Sequence, residues 1–279
     1  MTLERNGALV ALALALWACG GDGQQAPGPT VYAWPDSFSF LIEYVSESRA
    51  DTVVVSRYEE RKALRFAVRE DRYLAWHDSV IKESFAPGRE ATVEPFVAED
   101  TLHFYVELDR RGGITRSEPA CDPAVPACRE ALPSALRLEL RRIIPRLPVW
   151  APPRGYVWED TLTFNDAPRQ RGARGFVVTS CRVAGDTLIS GSRFWVVVWH
   201  SIQRTYVDVG GLAGLVATPP VEESGMVFID QERRVPVYAS WAGGAVAPPS
   251  LRALGVTGTG FRGRAYLAGS LVEQLLSPE

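Results

Sequence analysis

Few residues of this chain stand at spacings that chemistry requires. Gly258, Gly260 and Gly263, in Gly258-Thr259-Gly260-Phe261-Arg262-Gly263, have the G-x-G-x-x-G spacing that lets a backbone approach a pyrophosphate. That chemistry needs a helix N-terminus directly after the glycines. Arg264-Ala265-Tyr266-Leu267 continues instead as a strand, so no cofactor is expected. His77, His103 and His200 stand singly on apparent strands, and the chain has neither a G-x-S-x-G elbow nor an H-E-x-x-H pair. Asp78, Glu107 and Glu159 lie beside apolar runs and read as solvated strand edges. No catalytic residue and no metal site is expected, and the chain does not read as an enzyme. A net charge of −3 offers no basic stripe to displace counterions, which argues against nucleic acid as a partner.

The cysteines carry the clearest chemistry. Cys19 closes an uninterrupted apolar stretch, Ala8 to Ala18, that follows Arg5. This stretch is about half of the roughly 20 residues that a membrane-spanning helix needs. Leu16-Trp17-Ala18-Cys19 resembles the lipobox of bacterial lipoproteins, although Trp17 stands where a small residue is usual. The resemblance implies a signal peptide over residues 1–18 and lipidation of Cys19. Residues 19–30, rich in Gly and Pro, then form a tether that holds the domain off the membrane. Gly20 follows the cysteine, where Asp retains many such proteins at the inner membrane, so the outer membrane facing the periplasm is the expected location. Cys121 and Cys128 bracket a Pro-rich loop, and a disulfide between them fits an oxidising envelope. Their spacing is wrong for a Cys-x-x-Cys metal knuckle. Cys181, on a predicted strand, reads as a buried, inert thiol.

The elements that must position these residues are mostly strands. Phe38, Phe40, Ile42 and Tyr44 alternate along one run, and Leu102, Phe104, Val106 and Leu108 along another. Further strands are predicted over 51–56, 63–68, 72–76, 157–164, 175–183, 187–189, 193–202, 226–230, 236–242 and 256–272. Leu132, Leu136, Leu140 and Ile143 fall at helical spacing, and Pro145 stops the run. This predicts one short amphipathic helix over about 132–144, joining halves of about 31–128 and 155–279 within a single β-rich domain, 31–279. Almost no further helix is expected, apart from a turn near Val272 to Leu276. Asp51-Thr52, Asp100-Thr101, Asp160-Thr161 and Asp186-Thr187 each read as a turn that opens a strand. Phe194 to Trp199 is apolar on both faces, so something must cover each. The expected fold is mainly β: a large curved antiparallel sheet, either a half-barrel around an apolar cavity or a filled sandwich.

Several features follow Ile144 in a fixed order: a Leu-Pro pair, Trp158-Glu159-Asp160-Thr161, paired strands, Phe228-Ile229-Asp230 before a turn, and a Thr/Gly-rich final strand. This order resembles bacterial envelope lipoproteins and, more distantly, half-barrel carriers of the LolA/LolB type. That resemblance implies a sheet enclosing an apolar cavity for acyl chains. The expected function is that of a lipid-anchored cell-envelope protein whose partners are the membrane and a hydrophobic or amphiphilic ligand. Phe38, Phe40, Tyr44, Phe104, Trp195 and Trp199 are the candidate wall residues. The alternatives are an assembly protein that meets another envelope protein, and a hydrolase without a recognisable motif.

Overall fold

The computed structural model describes residues 28–51, 53–69, 72–85, 92–95, 103–120, 133–165, 173–208, 215–247, 252–253 and 255–276. Six strands precede the main helix: β1 (Ser37–Ala50), β2 (Val53–Arg69), β3 (Arg72–Phe85), β4 (Thr92–Pro95), β5 (His103–Leu108) and β6 (Ile114–Pro119). Helix α1 (Pro133–Ile143) is followed by β7 (Val157–Asn165), β8 (Ala173–Ile189), β9 (Ser192–Asp208), β10 (Leu215–Ala217), β11 (Val221–Asp230), β12 (Pro236–Val246) and β13 (Gly258–Leu267). A second helix, α2 (Leu271–Leu276), packs on β12 and β13. All the strands form one sheet, in the order β6-β5-β3-β2-β1-β13-β12-β11-β9-β8-β7, with β4 beside β3 and β10 beside β9. The pairings are antiparallel, and each half is a meander of neighbouring hairpins. The halves join where β1 pairs with β13, Phe40 opposite Leu267 through Arg49 opposite Gly258.

The bonds of α1 show that this sheet is curled. Glu139 of α1 meets Lys62 of β2 at 2.6 Å, and Arg141 meets Asp160 of β7 at 2.8 Å. Strands β2 and β7 are seven steps apart in the sheet order, which in a flat sheet would be about 34 Å. Two side chains of one helical turn cannot span that distance, so the sheet wraps around α1. The sandwich reading therefore falls, because the inner face of a single sheet closes on a helix and not on a second sheet.

Packing follows from alternation along the strands. Phe40, Ile42, Leu64, Phe66, Ala75, Phe104, Val197, Val227, Ala239 and Ala265 share the inner face and are buried against Leu136, Leu140, Ile143 and Ile144 of the helix region. The inner face of β9 carries Trp195, Val197 and Trp199, and its outer face carries Phe194, Val196 and Val198. Outer-face rings continue from Phe194 through Phe228 and Tyr238 to Tyr266, with centroids 6.5, 5.3 and 5.4 Å apart. Below the sheet, residues 28–35 cross its lower end as a strap. The Tyr32 N–H donates to the Arg110 carbonyl at 2.6 Å, its hydroxyl donates to the Pro145 carbonyl at 2.8 Å, and the Ala33 N–H donates to the Arg234 carbonyl at 3.0 Å.

Three expectations need correction. The predicted runs 51–56 and 63–68 are one strand, β2. Its middle, Tyr58 to Lys62, is charged, because the inward Glu60 and Lys62 form an ion-pair group with Glu139 instead of meeting apolar side chains. The last predicted strand stops at Leu267. Gly269 takes φ +73°, Ser270 Oγ accepts the Glu273 N–H at 3.1 Å, and this cap starts α2, at the place of the helical turn expected near Val272 to Leu276. Asp160 and Asp186 lie inside β7 and β8 and do not open strands, whereas Asp51 does occupy a turn, at φ +53°.

Candidate functional site

The inner face is layered, and the layers can be followed strand by strand. One transverse row of paired residues, from β2 to β8, runs Lys62, Ile42, Ala265, Ala239, Val227, Val197 and Val183. The next row up reads Glu60, Tyr44, Gly263, Trp241, Gly225, Trp199, Cys181 and Trp158. Large rings alternate there with Gly or Cys. Above it stand Tyr58, Ser46, Phe261, Gly243, Glu223, Ser201, Thr179 and Asp160. The face thus passes from an apolar floor, through an aromatic belt, to a polar upper row.

The belt has a steric logic. A Cβ on Gly263 would lie 2.3 Å from Cζ2 of Trp241, and one on Gly225 would lie 2.7 Å from Cζ2 of Trp199. Each indole therefore lies flat over a strand that has no side chain there, an arrangement that favours curvature. The same motif explains the glycines that imitated a cofactor loop. Gly263 accommodates Trp241, while Gly258 and Gly260 floor an outer-face depression of about 480 Å³ beside Val45, Glu47, Arg49 and Arg262. A hydrogen bond from Arg49 holds the Glu47 carboxyl there below its usual range. The indole N–H groups of Trp199 and Trp241, and that of Trp195 on the same face, are buried with no acceptor among the described residues.

Charged groups of α1 dock on the upper row. Arg142 Nε donates to Glu223 at 2.7 Å, and Ser201 Oγ donates to the same carboxylate at 3.2 Å. Arg141 donates to Thr179 Oγ1 at 2.8 Å and to the Asp160 carbonyl at 2.6 Å. Burial acts to lower the pKa of the Lys62 ammonium, but Glu139 and Glu60 outweigh it and hold the group above its ordinary value. Arg137, Arg141 and Arg146 face a slot of about 150 Å³ between β6 and β7, the end strands of the sheet among the described residues, with Asp160 as the acid among them.

The structure divides the six predicted wall residues. Phe40 and Phe104 are 1% and 6% exposed in the core around α1. Phe38 stacks on Phe66 at 4.5 Å beside them, and Trp195 packs against the same core. Trp199 belongs to the belt. Tyr44 is half-buried between Tyr58, at 6.3 Å, and Phe261, at 6.1 Å. Burial raises the pKa of the Tyr44 and Tyr58 hydroxyls, and neighbouring Glu60 raises that of Tyr58 further. Arg142 stands 5.4 Å over the Phe261 ring. Sequence reasoning missed Tyr58, Phe261 and Arg142, because Tyr58, Tyr44 and Phe261 meet only when β2, β1 and β13 come into register and Arg142 reaches them from α1. An aromatic residue two or three positions before a glycine in the last strand was the available signal. Cys19, Cys121 and Cys128 lie outside the described residues, as does the side chain of His77. His103 and His200 are exposed on different strands. Among the described residues, no three groups that could ligate a metal converge, and no helix is long and apolar enough to cross a membrane.

No family model and no curated protein matches the chain. Among solved structures, the chain is similar to one described as lipid–protein interactions in lipovitellin, at 9% identity and a TM-score of 0.34. The match covers 85% of this chain and 25% of that one, so this chain spans a quarter of that protein's length.

Proposed function

We propose that the chain is a lipid-anchored protein of the bacterial cell envelope, attached through Cys19 to the outer membrane, whose curled sheet binds a hydrophobic or amphiphilic ligand from the periplasm. The observation that carries the ligand reading is the half-buried trio Tyr58, Tyr44 and Phe261, set between the aromatic belt and the charged groups of α1. Rings suit an acyl chain or an aromatic body, and Arg142 and Lys62 suit a polar head. The likeness in element order to LolA/LolB-type carriers belongs to this proposal, which assigns no catalytic step. Titration of the purified full-length protein with fatty acids of increasing length tests it. Saturable quenching of tryptophan should appear, and affinity should rise with chain length by up to about 0.8 kcal/mol per methylene. Phe261→Ala and Tyr44→Ala should each weaken binding without unfolding the protein. No saturable response at any chain length would remove the ligand reading.

A second reading, an envelope assembly protein, is favoured by the filling of the apolar floor by Leu140 and Ile143, both fully buried. On that reading Trp199→Ala destabilises the fold by about 3–5 kcal/mol and changes no small-molecule binding.

A further inference from the structure

The segment between α1 and β7 exposes apolar groups that the fold does not use. Val149 is 76% exposed, Trp150 48%, Tyr156 40% and Val157 52%. The Trp150 and Tyr156 rings pair edge to face at 4.5 Å. The segment is held in place: the Gly155 N–H donates to the Val183 carbonyl at 2.9 Å, the Tyr156 N–H donates to the Pro153 carbonyl at 3.1 Å, and Pro152 is buried. The aromatic pair is therefore presented on a fixed support.

An independent observation says what faces it. The chain that leads from Cys19 enters the fold at this segment, where the buried Gly28 donates its N–H to the Pro152 carbonyl at 3.2 Å. Gly28 follows Cys19 by nine residues, which reach about 30 Å when fully extended. An acylated Cys19 thus keeps Gly28, and the Pro152 carbonyl it bonds in the segment of Trp150 and Tyr156, within that distance of a bilayer. Tryptophan and tyrosine have an apolar body and a polar tip and partition to the membrane interface. Exposed Arg154 lies between them in sequence and suits an anionic headgroup.

We propose that residues 149–157 dock on the lipid bilayer, with Trp150 and Tyr156 at the boundary of headgroups and acyl chains. The inference rests on the Cys19 reading for proximity and adds a direct contact of the folded domain with lipid. The sheet then stands on the membrane by its lower end, with the polar upper row of its inner face directed away.

The test uses the full chain with vesicles of phosphatidylethanolamine and phosphatidylglycerol whose acyl chains are brominated. Docking predicts tryptophan quenching in the wild-type protein that falls by at least half in Trp150→Phe, a variant at an exposed site. The Cys19→Ser chain without the expected signal peptide, residues 1–18, should still bind these vesicles weakly. Adding Trp150→Ser and Tyr156→Ser to it should weaken that binding at least threefold. Equal quenching of wild type and Trp150→Phe would turn the patch towards a protein partner and overturn the docking. So would equal binding of the Cys19→Ser chain with and without the two serines. Failure of the anchor alone is a separate result: wild type and Cys19→Ser would bind equally, and the dependence on Trp150 would persist in both.

Discussion

Trp241 and Gly263 act as one unit, and so do Trp199 and Gly225. A methyl group at residue 263 has no room while Trp241 lies on it. Gly263→Ala should destabilise the fold by about 1–3 kcal/mol in urea unfolding, the range for overpacking. Much of that loss should vanish when the substitution is made beside Trp241→Ala, so the double-mutant cycle should be strongly non-additive. Additive effects would deny the steric pairing. Cys181 sits in the same row. Burial pushes its thiol up to about 12, with nearby Arg141 opposing and Asp160 adding to the rise. It should therefore resist alkylation at pH 8 until the protein unfolds. A raised native pKa also fixes the sign of a pH effect. The stability it contributes is complete below the unfolded value near 9 and is lost as pH climbs towards 12, because only the unfolded chain ionises in that window. Cys181→Ala should flatten the alkaline side of the stability profile, and an unchanged slope would locate the effect in the buried tyrosines instead.

At the scale of elements, α1 organises the inner face with both its apolar and its charged side chains. Arg142→Ala should cost about 3–5 kcal/mol, since it leaves Glu223, 7% exposed, without its cation. Glu223→Gln in the same background should recover part of this loss by removing the stranded charge, and thermal unfolding of the two variants and the wild type checks the order. The helix itself was legible: Leu136, Leu140 and Ile143 recur at its period, and the structure places it at Pro133–Ile143 against an expected 132–144. Strand β7 was legible for the same reason, with Trp158, Leu162 and Phe164 alternating. The middle of β2 was not. Its inward side chains face charges from a helix about 77 residues away in sequence, and a hydropathy pattern carries no record of a partner so distant. The trio at the candidate site was hidden similarly, because Tyr58, Tyr44 and Phe261 meet only through strand register.

For the whole molecule, the junction of β1 with β13 joins the two predicted halves in one sheet. Phe40 and Phe104 from the first half and Val197 and Trp241 from the second belong to one core around α1. Urea unfolding followed by tryptophan fluorescence and by far-ultraviolet circular dichroism should give coincident single transitions. Two separated transitions would mean that the halves fold independently. Folding should also be slow for the size of the chain, because β1 must wait for β13, more than 200 residues later.

The gap between β6 and β7 has a mechanical consequence. A closed barrel has a circumference fixed by its strand number and shear, and widening it means breaking a ladder of backbone hydrogen bonds. Here the ring is interrupted, and arginines of α1 tie β7 to the helix beside the break: Arg141 reaches the Asp160 carbonyl and Arg137 the Thr163 carbonyl. The girth of the sheet is therefore held by what fills its interior and by side-chain bonds, with no backbone ladder across the seam. Parting β6 from β7 would leave every strand with the neighbours it already has.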